Sequence, residues 1–150
     1  MRQAWDVSEP VASVANAHAF VQRLIDMGLQ QAVVSPGSRN APLSISLARA
    51  ADDGQITLHV RIDEREAAFL ALGLSKLSGV PTLVCCTSGT AAVNFAPAVT
   101  EAYYSQVPMI VLTGDRPIGA AARGASQSIG QESLFAPHTD RKSTRLNSSH

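Results

Sequence analysis

Residues 56–76, I-T-L-H-V-R-I-D-E-R-E-A-A-F-L-A-L-G-L-S-K, contain one complete strand-to-helix unit of the predicted fold. The first seven residues, 56–62, predict a short strand. After Asp63, apolar residues recur at the spacing of an amphipathic helix, which predicts a helix over residues 64–78. The carboxylate of Glu64 therefore stands where a strand ends and a helix begins. Taken alone, this position suits an ordinary helix start, because acidic side chains complement the helix dipole there.

The same order of strand and helix recurs along the chain. Strands are predicted at residues 31–35, 56–62, 81–87 and 108–113, and helices at residues 13–27, 41–51, 64–78 and 91–104. Because the strands are continuously apolar and no tight hairpin separates them, the pattern predicts an α/β fold, a parallel sheet with helices on both faces. Residues 118–138, rich in Ala, Gly, Ser and Gln, predict an irregular arm or lid.

The composition argues against several classes of protein. The 150 residues are 45% hydrophobic and 5% aromatic, with twelve basic and twelve acidic side chains. This length favours one domain, and a formal charge of zero gives no support to a nucleic-acid partner. The sequence has neither the run of about 20 apolar residues that a membrane span needs nor a signal-peptide pattern. We therefore expect a cytoplasmic protein.

Two further stretches bear on redox state and domain limits. Cys85 and Cys86 are adjacent in a predicted strand, so their side chains should point to opposite faces, and we expect buried reduced thiols with no metal. Residues 141–150, R-K-S-T-R-L-N-S-S-H, are polar and aperiodic and resemble translated adapter or vector sequence. We expect residues 1–140 to be the domain and residues 141–150 a non-native tail, with the natural chain continuing differently after about residue 140.

A turn of small and polar residues follows each predicted strand. These turns are P-G-S-R at 36–39, D-E-R at 63–65, T-S-G-T at 87–90 and G-D-R-P at 114–117. Right-handed crossovers place the carboxyl ends of parallel strands at one edge of the sheet, where ligands bind in such folds. Backbone N–H groups at Gly37 and Ser38 suit an anion, and Arg39 can bind a carboxylate or phosphate through two hydrogen bonds. The four turns therefore predict one ligand crevice.

The last two turns allow structural as well as functional interpretations. Ser88 suits the cap of the following helix, and its turn lacks the lysine and the glycine spacing of a P-loop. Arg116 either pairs with Asp115 inside its own loop or provides a second anion contact near Arg39. Together with Glu64, two arginines around an otherwise neutral crevice favour a small substrate that carries more than one carboxylate.

An ordered set of motifs carries a resemblance to a known family. The motifs are S-P-G-S-R at 35–39, D-E-R at 63–65, A-L-G-L-S-K at 71–76, T-S-G-T-A at 87–91, E-A at 101–102 and D-R-P at 115–117. Over residues 17–138 the chain resembles the N-terminal pyrimidine-binding domain of thiamine-diphosphate enzymes. Within that family it is similar to the menaquinone-pathway branch, which decarboxylates 2-oxoglutarate and adds the succinyl-semialdehyde carbanion to isochorismate.

The resemblance implies a role for each matching position. Glu64 would hydrogen-bond N1′ of the aminopyrimidine of thiamine diphosphate and exchange a proton with it, which requires a carboxyl group partly shielded from water. Pro36 and Thr87 would be further cofactor contacts. The positions that would contact substrate are Ser38, Arg39, Arg116 and Gln127. Gln131 competes with Gln127 for the role of the substrate-binding glutamine.

The resemblance also implies parts that this sequence lacks. Enzymes of the family bind the diphosphate and Mg²⁺, for which Mn²⁺ is an alternative, through a G-D-G…N motif in a C-terminal domain, and no such motif occurs here. We therefore expect an inactive fragment that holds half a site, and an intact enzyme that is a homodimer or homotetramer. Two alternatives stay open: another thiamine-diphosphate lyase or decarboxylase, such as an acetolactate-synthase-like enzyme, and a non-catalytic α/β ligand-binding domain.

Overall fold

A four-stranded parallel sheet forms the centre of the molecule. The computed structural model describes residues 12–116, 123–136 and 138–139. The strands, which pair in the order β2-β1-β3-β4, are β1 (Gln31–Val34), β2 (Thr57–Val60), β3 (Thr82–Cys86) and β4 (Met109–Thr113). The predicted class, an α/β fold with a parallel sheet between helices, is therefore confirmed.

Helices alternate with these strands along the chain. They are α1 (Ala12–Asp26), α2 (Ala41–Asp52), α3 (Glu64–Ser78), α4 (Thr90–Val93) and α5 (Ala96–Tyr104). The prediction of a single helix over residues 91–104 is wrong, because the chain breaks between α4 and α5. Pro97 lies in the first turn of α5 and has no N–H to donate to the carbonyl four residues before it, so a continuous helix would lose that hydrogen bond.

The hydrophobic core has one layer on each face of the sheet. Helices α1 and α2 cover one face, where Val21 and Leu47 pack in a cluster with Cys85 of β3. Helices α3, α4 and α5 cover the other face, where Ala71 packs in a cluster with Cys86. Successive residues of β3 thus alternate between the two layers, which confirms that the two cysteines point to opposite faces. Both are buried and neither forms a disulfide.

The edge strand β2 is shorter than predicted. It spans four residues rather than the seven at 56–62, and its first and last residues, Thr57 and Val60, are exposed. It pairs with β1, which itself ends at Val34. The N–H of Arg61 donates to the Val34 carbonyl at 3.0 Å, and the pairing stops there because β1 offers no further partner.

The order of the strands creates a topological switch point between β1 and β3. The chain leaves β1 for α2 on one face of the sheet and leaves β3 for α4 and α5 on the opposite face. The two connections therefore diverge beyond the carboxyl ends of β1 and β3. In open α/β sheets this divergence opens the crevice in which ligands bind. The P-G-S-R and T-S-G-T turns follow these two strands, so both lie at the crevice.

Parts of two predictions lie outside the described residues. Residues 117–122 and 137 fall in or beside the predicted arm or lid, and residues 141–150 are the predicted non-native tail. The described part of the arm, residues 123–136, is irregular apart from short 3₁₀ turns such as Gln131–Ser133. Among the helices formed by the described residues, none is long and apolar enough to span a membrane.

Candidate functional site

Asp63 caps helix α3 and leaves the carboxylate of Glu64 available. Asp63 has extended backbone angles (φ −81°, ψ 121°), and its Oδ1 accepts a hydrogen bond from the N–H of Glu66 at 2.9 Å. This side-chain cap satisfies one of the unpaired N–H groups at the helix start. Glu64 follows as the first helical residue and is half-buried, and its carboxylate makes no hydrogen bond or ion pair with any described residue. The capping role therefore belongs to Asp63, and the Glu64 carboxylate has no partner among the described residues.

Glu64 follows the edge strand β2 but lies beside the end of the central strand β3. Helix α3 packs against both β1 and β3, which carries its first turn toward the switch point. The pKa of the Cys86 thiol is raised by burial and, to a smaller extent, by the nearby charges of Cys85 and Glu64. The Cys86 side chain is therefore a neutral thiol at physiological pH. It offers Glu64 an uncharged and weakly polar neighbour.

The turns that follow β1 and β3 touch at the switch point. A Cβ atom at Gly37 would lie only 2.6 Å from Cβ of Thr87, so only glycine permits this approach. The backbone N–H of Arg39 donates to Thr87 Oγ1 at 3.3 Å. Pro36 and Thr87, the two predicted cofactor contacts besides Glu64, therefore belong to adjoining turns. Thr87 is buried except for a small part of its surface, whereas Pro36 is exposed.

Asn40 anchors the turn that carries Ser38 and Arg39. These residues form a 3₁₀ turn, in which Asn40 is fully buried while the other two are exposed. The Asn40 Nδ2 group donates to the Ser35 carbonyl at 3.0 Å and to Cys85 Sγ at 3.6 Å. Asn40 is not among the site residues predicted from the sequence. The signal that could have found it is an amide side chain directly after the S-P-G-S-R motif, at the start of a helix that it does not cap.

Arg39 also contacts the turn after β4. Gly114 is buried there, and a Cβ atom added to it would lie 3.0 Å from Cβ of Arg39 and 3.2 Å from its carbonyl carbon. The backbone of Arg39 therefore rests on both the β3 and the β4 turns, while its guanidinium forms no hydrogen bond or ion pair with a described residue. The carboxyl ends of β1, β3 and β4 thus meet around one arginine.

Arg116 points its guanidinium at the described part of the arm. Its Nε and Nη2 donate to the Ser126 carbonyl at 3.0 and 2.6 Å, while its backbone N–H donates to Asp115 Oδ1 at 2.7 Å. The alternative in which the Arg116 side chain pairs with the Asp115 carboxylate is therefore wrong. A guanidinium has five N–H donors, so two bonds to one carbonyl leave donors for an anion.

The arm docks on the β3 turn through the backbone of Gln127. Ser88 Oγ donates to the Gln127 carbonyl at 2.9 Å, and Gly89 occupies the cap position of α4 without a side-chain cap. The interpretation of Ser88 as a helix cap is therefore wrong. Gln127 has a positive φ of 55°, which is uncommon outside glycine. Its side chain is exposed and makes no hydrogen bond with a described residue.

The Gln131 side chain is fully engaged in the structure. Its Oε1 accepts from the Gly89 N–H at 2.7 Å, and its Nε2 donates to Thr113 Oγ1 at 3.2 Å and to the Gly114 carbonyl at 2.9 Å. Of the two competing glutamines, Gln127 is therefore the one with a free amide. Further along the arm, Leu134 and Phe135 pack against the core cluster that contains Cys86.

The charged side chains of the candidate site, Glu64, Arg39 and Arg116, form no ion pair with one another. An ion pair between described residues joins Arg61 Nε to Glu66 Oε1 at 2.9 Å and does not involve Glu64, Arg39 or Arg116. No group of three His, Cys, Asp or Glu side chains in this part of the chain is placed to hold a metal ion. The arrangement therefore offers one unpaired carboxylate and two arginines with unused donors, at the same edge of the sheet.

The comparison with known families decides the affiliation. A family described as "Thiamine pyrophosphate enzyme, N-terminal TPP binding domain" matches residues 15–134 of this chain. The chain belongs to the thiamine pyrophosphate enzyme N-terminal domain family. The resemblance identified from the ordered motifs is thereby confirmed. Residues 141–150 lie beyond the matched region, so their assignment as a non-native tail, and with it the 1–140 domain limit, stays a prediction.

Individual members of the thiamine pyrophosphate enzymes give a narrower likeness. The chain is 53% identical over 123 residues to a 2-succinyl-5-enolpyruvyl-6-hydroxy-3-cyclohexene-1-carboxylate synthase of Saccharopolyspora erythraea, covering 82% of this chain and 22% of that protein. A synthase of the same name from Synechocystis sp. is 52% identical over 119 residues, covering 79% of this chain and 20% of that protein. One from Bacillus pumilus is 55% identical over 120 residues, covering 77% of this chain and 20% of that protein. The chain thus spans about a fifth of the length of these relatives.

Proposed function

We propose that this chain forms the pyrimidine-binding part of a thiamine-diphosphate-dependent synthase, which decarboxylates 2-oxoglutarate and adds the remaining four-carbon unit to isochorismate. The observation that carries the proposal is the half-buried, unpaired carboxylate of Glu64 beside the end of β3. Family membership supports the cofactor, and the names of the similar synthases support the reaction.

The residues around Glu64 suit one side of an aminopyrimidine ring. The carboxylate has no partner among the described residues, so it is free to share a proton with a ring nitrogen such as N1′. The neutral Cys86 thiol and the half-buried position keep competing charges away from it. Pro36 and Thr87 stand on the two adjoining turns at the switch point, where open α/β sheets bind their ligands.

Proton exchange explains why a carboxyl group is required at position 64. Thiamine diphosphate, when bound, supplies the nucleophilic carbon and the electron sink that decarboxylation of a 2-oxo acid needs. The task of Glu64 is to hold a proton on its Oε atom and return it to N1′. Glutamine has the same shape and can form a hydrogen bond there, but its amide cannot give up and regain a proton near neutral pH.

The substrate side of the proposal rests on the arginines. The name of the similar synthases describes a product with a succinyl group, an enolpyruvyl group and a ring carboxylate, which together bear three carboxylates. Arg39 has an unpaired guanidinium, and Arg116 retains donors beyond those on the Ser126 carbonyl. We assign Arg39, Arg116, Ser38 and Gln127 to the substrate carboxylates, because their polar groups stand on the turns and arm at this edge.

The remaining parts of the proposed enzyme lie outside this chain. We propose that a diphosphate-binding domain supplies the Mg²⁺ site, with Mn²⁺ as the alternative metal, and that homodimers or homotetramers assemble in the cytoplasm. Such an arrangement agrees with a chain that spans about a fifth of its relatives and contains no G-D-G…N motif. In the proposal, this chain alone has no activity.

The proposed reaction is tested with the full-length protein that carries this chain. Purified protein is given thiamine diphosphate and Mg²⁺ with 2-oxoglutarate plus isochorismate, and in parallel with pyruvate alone. We expect carbon dioxide release and a coupled product in the first mixture and no turnover in the second. Turnover of pyruvate alone would assign the chain to an acetolactate-synthase-like enzyme or a decarboxylase instead. Absence of turnover in both mixtures would remove the enzyme assignment.

A further inference from the structure

We propose that Gln131 is a positioning residue, which holds Gln127 and Arg116 at the substrate crevice without touching substrate itself. The inference rests on the proposed function, because it concerns the substrate contacts of that site. It starts from the Gln131 amide, whose oxygen and nitrogen are both bonded to the turns that follow β3 and β4. One side chain of the arm therefore joins two strand ends.

The hydrogen bonds of Gln131 require an amide of this length. The oxygen needs a donor, which is the Gly89 N–H at 2.7 Å, and the nitrogen needs acceptors, which are Thr113 Oγ1 and the Gly114 carbonyl. A carboxylate has no N–H for the Gly114 carbonyl, and an apolar side chain would leave the Gly89 N–H without its partner. A glutamine at position 131 thus provides the one acceptor and the donors that the turns after β3 and β4 require.

The same contacts hold the backbone of Gln127 in an uncommon conformation. A Cβ atom at Gly89 would lie 3.0 Å from Cα of Gln127, so the two backbones are in direct contact. Ser88 Oγ donates to the Gln127 carbonyl at 2.9 Å from the same turn. A non-glycine residue at φ 55° persists only when its surroundings fix it. Gln131 supplies part of that constraint from four residues further along the chain.

Displacement of the arm would change two substrate contacts together. Gln127 carries the free amide, and its neighbour Ser126 accepts both hydrogen bonds from the Arg116 guanidinium. Glu64 and Arg39, in contrast, stand on α3 and on the turn after β1, which Gln131 does not touch. Loss of the Gln131 contacts should therefore impair substrate binding more than the proton exchange at Glu64.

The test compares Gln131→Met, Gln127→Ala and the double variant in the full-length protein. Methionine keeps the length and volume of glutamine while removing its hydrogen bonds. We expect KM for isochorismate to rise about tenfold in each single variant, on the scale of one lost hydrogen bond, with kcat changed by less than about threefold. The increase in KM in the double variant should be smaller than the product of the two single increases, because Gln131 acts in part through Gln127 and in part through Arg116. Gln55→Met, a change of an exposed glutamine at the other end of the sheet, is the matched control.

Amide hydrogen exchange provides a readout that is independent of turnover. The Gly89 N–H loses its acceptor in Gln131→Met, so its exchange should accelerate at least about tenfold, while exchange in β3 stays unchanged. Gln127→Ala should leave the Gly89 amide protected. Unchanged Gly89 exchange in Gln131→Met, or KM effects of Gln131→Met and Gln127→Ala that multiply in the double variant, would overturn the inference. Absence of wild-type turnover would instead refute the proposed function, and the exchange result would still decide whether Gln131 fixes the arm.

Discussion

Two neighbouring carboxylates have different surroundings at the start of α3. Asp63 accepts the hydrogen bond from the Glu66 N–H, so the helix start does not depend on Glu64 as a cap. Glu64 remains half-buried and unpaired among the described residues. An acid that stabilises a helix by a hydrogen bond would have to break that bond before moving a proton. With the cap on Asp63, the proton exchange proposed for Glu64 does not meet this conflict.

At the residue scale, Glu64→Gln in the full-length protein should nearly abolish turnover while thiamine diphosphate still binds. Removing a positioned acid–base group lowers the rate by about 10²- to 10⁴-fold, and glutamine preserves the size and hydrogen-bonding capacity of the side chain. The measurements are kcat with saturating substrates and cofactor affinity by calorimetry. Glu66→Gln, which alters an exposed carboxylate two residues away, serves as the control and should retain normal turnover. Turnover close to wild type in Glu64→Gln would exclude proton exchange by Glu64.

At the scale of elements, the carboxyl ends of β1 and β3 are joined by a contact that tolerates no side chain. Gly37 stands against Thr87, with room for hydrogen but not for a methyl group. The Arg39 N–H bond to Thr87 and the fully buried Asn40 tie the same turn to β3. The spacing between the P-G-S-R and T-S-G-T turns is thus set by packing and hydrogen bonds, and with it the width of the crevice.

Gly37→Ala should destabilise the fold, whereas Gly73→Ala should stabilise it. Alanine at position 37 would place a Cβ 2.6 Å from Cβ of Thr87, and overpacking of this kind costs about 1–3 kcal/mol in the free energy of unfolding. Gly73 lies inside α3 with nothing within 4 Å of an added Cβ, so alanine there should add up to about 1 kcal/mol through helix propensity. Chemical denaturation of both variants and of wild type measures whether each change lowers or raises the free energy of unfolding. Equal stability of Gly37→Ala and wild type would show that the two turns are free to separate.

Periodicity was sufficient to predict most elements, but not their ends or the contacts between distant turns. The run from Glu64 to Ser78 has one apolar stripe and a glycine after it, so its helix was predicted with the observed bounds. Local patterns do not reveal that β2 stops where its partner β1 stops. The apolar spacing over residues 91–104 also does not register the missing N–H of Pro97, which prevents α4 and α5 from forming one helix. The ends of β2 and the break before α5 depend on strand pairing and on single hydrogen bonds, not on the hydrophobic pattern of a segment.

In the candidate site, too, features set by neighbouring residues are predictable from the sequence, whereas contacts between residues far apart in the chain are not. The turns with Arg39, Glu64 and Thr87 were predicted because each follows an apolar strand in the sequence. The contacts of Gln131 and the direction of Arg116 depend on an arm that lies ten or more residues along the chain from the turns that it contacts. No periodic pattern encodes such contacts. The sequence predicts Gln127 as the substrate contact with Gln131 as its competitor, but it carries no sign that the Gln131 amide is bonded to the turns after β3 and β4.

At the scale of the whole molecule, the two buried thiols make the free energy of unfolding depend on pH in the alkaline range. Burial raises the pKa of Cys85 from an ordinary value of 9.0 to about 11, and the pKa of Cys86 is raised as well. The folded state therefore retains protons that the unfolded chain loses. Because the raised pKa belongs to the folded state, this stabilisation is complete below pH 9 and is lost as the pH rises toward about 11.

The free energy of unfolding should consequently fall between about pH 9 and pH 11. The part that depends on Cys85 should be on the order of 2–3 kcal/mol, since each pKa unit corresponds to about 1.4 kcal/mol. Denaturant titrations of wild type and Cys85→Ala at pH 8 and pH 10.5 isolate this part. We expect the stability difference between the two proteins to shrink at the higher pH. A difference that stays constant would mean that the Cys85 thiol ionises as readily in the folded as in the unfolded chain.

The small residues of α3 also bear on how such a protein can diversify. Ala67, Ala68 and Ala71 have no exposed surface, so the helix that carries Glu64 is seated directly on the sheet. The part of the arm around Gln127, by comparison, is attached through polar bonds to turns, whereas Leu134 and Phe135 further along the arm pack against the same core cluster as these alanines. Mutations near Gln127 can therefore accumulate with little effect on the position of Glu64. Under the roles proposed for these two residues, substrate preference can drift over generations, or be redirected in the laboratory, while the acid stays in place.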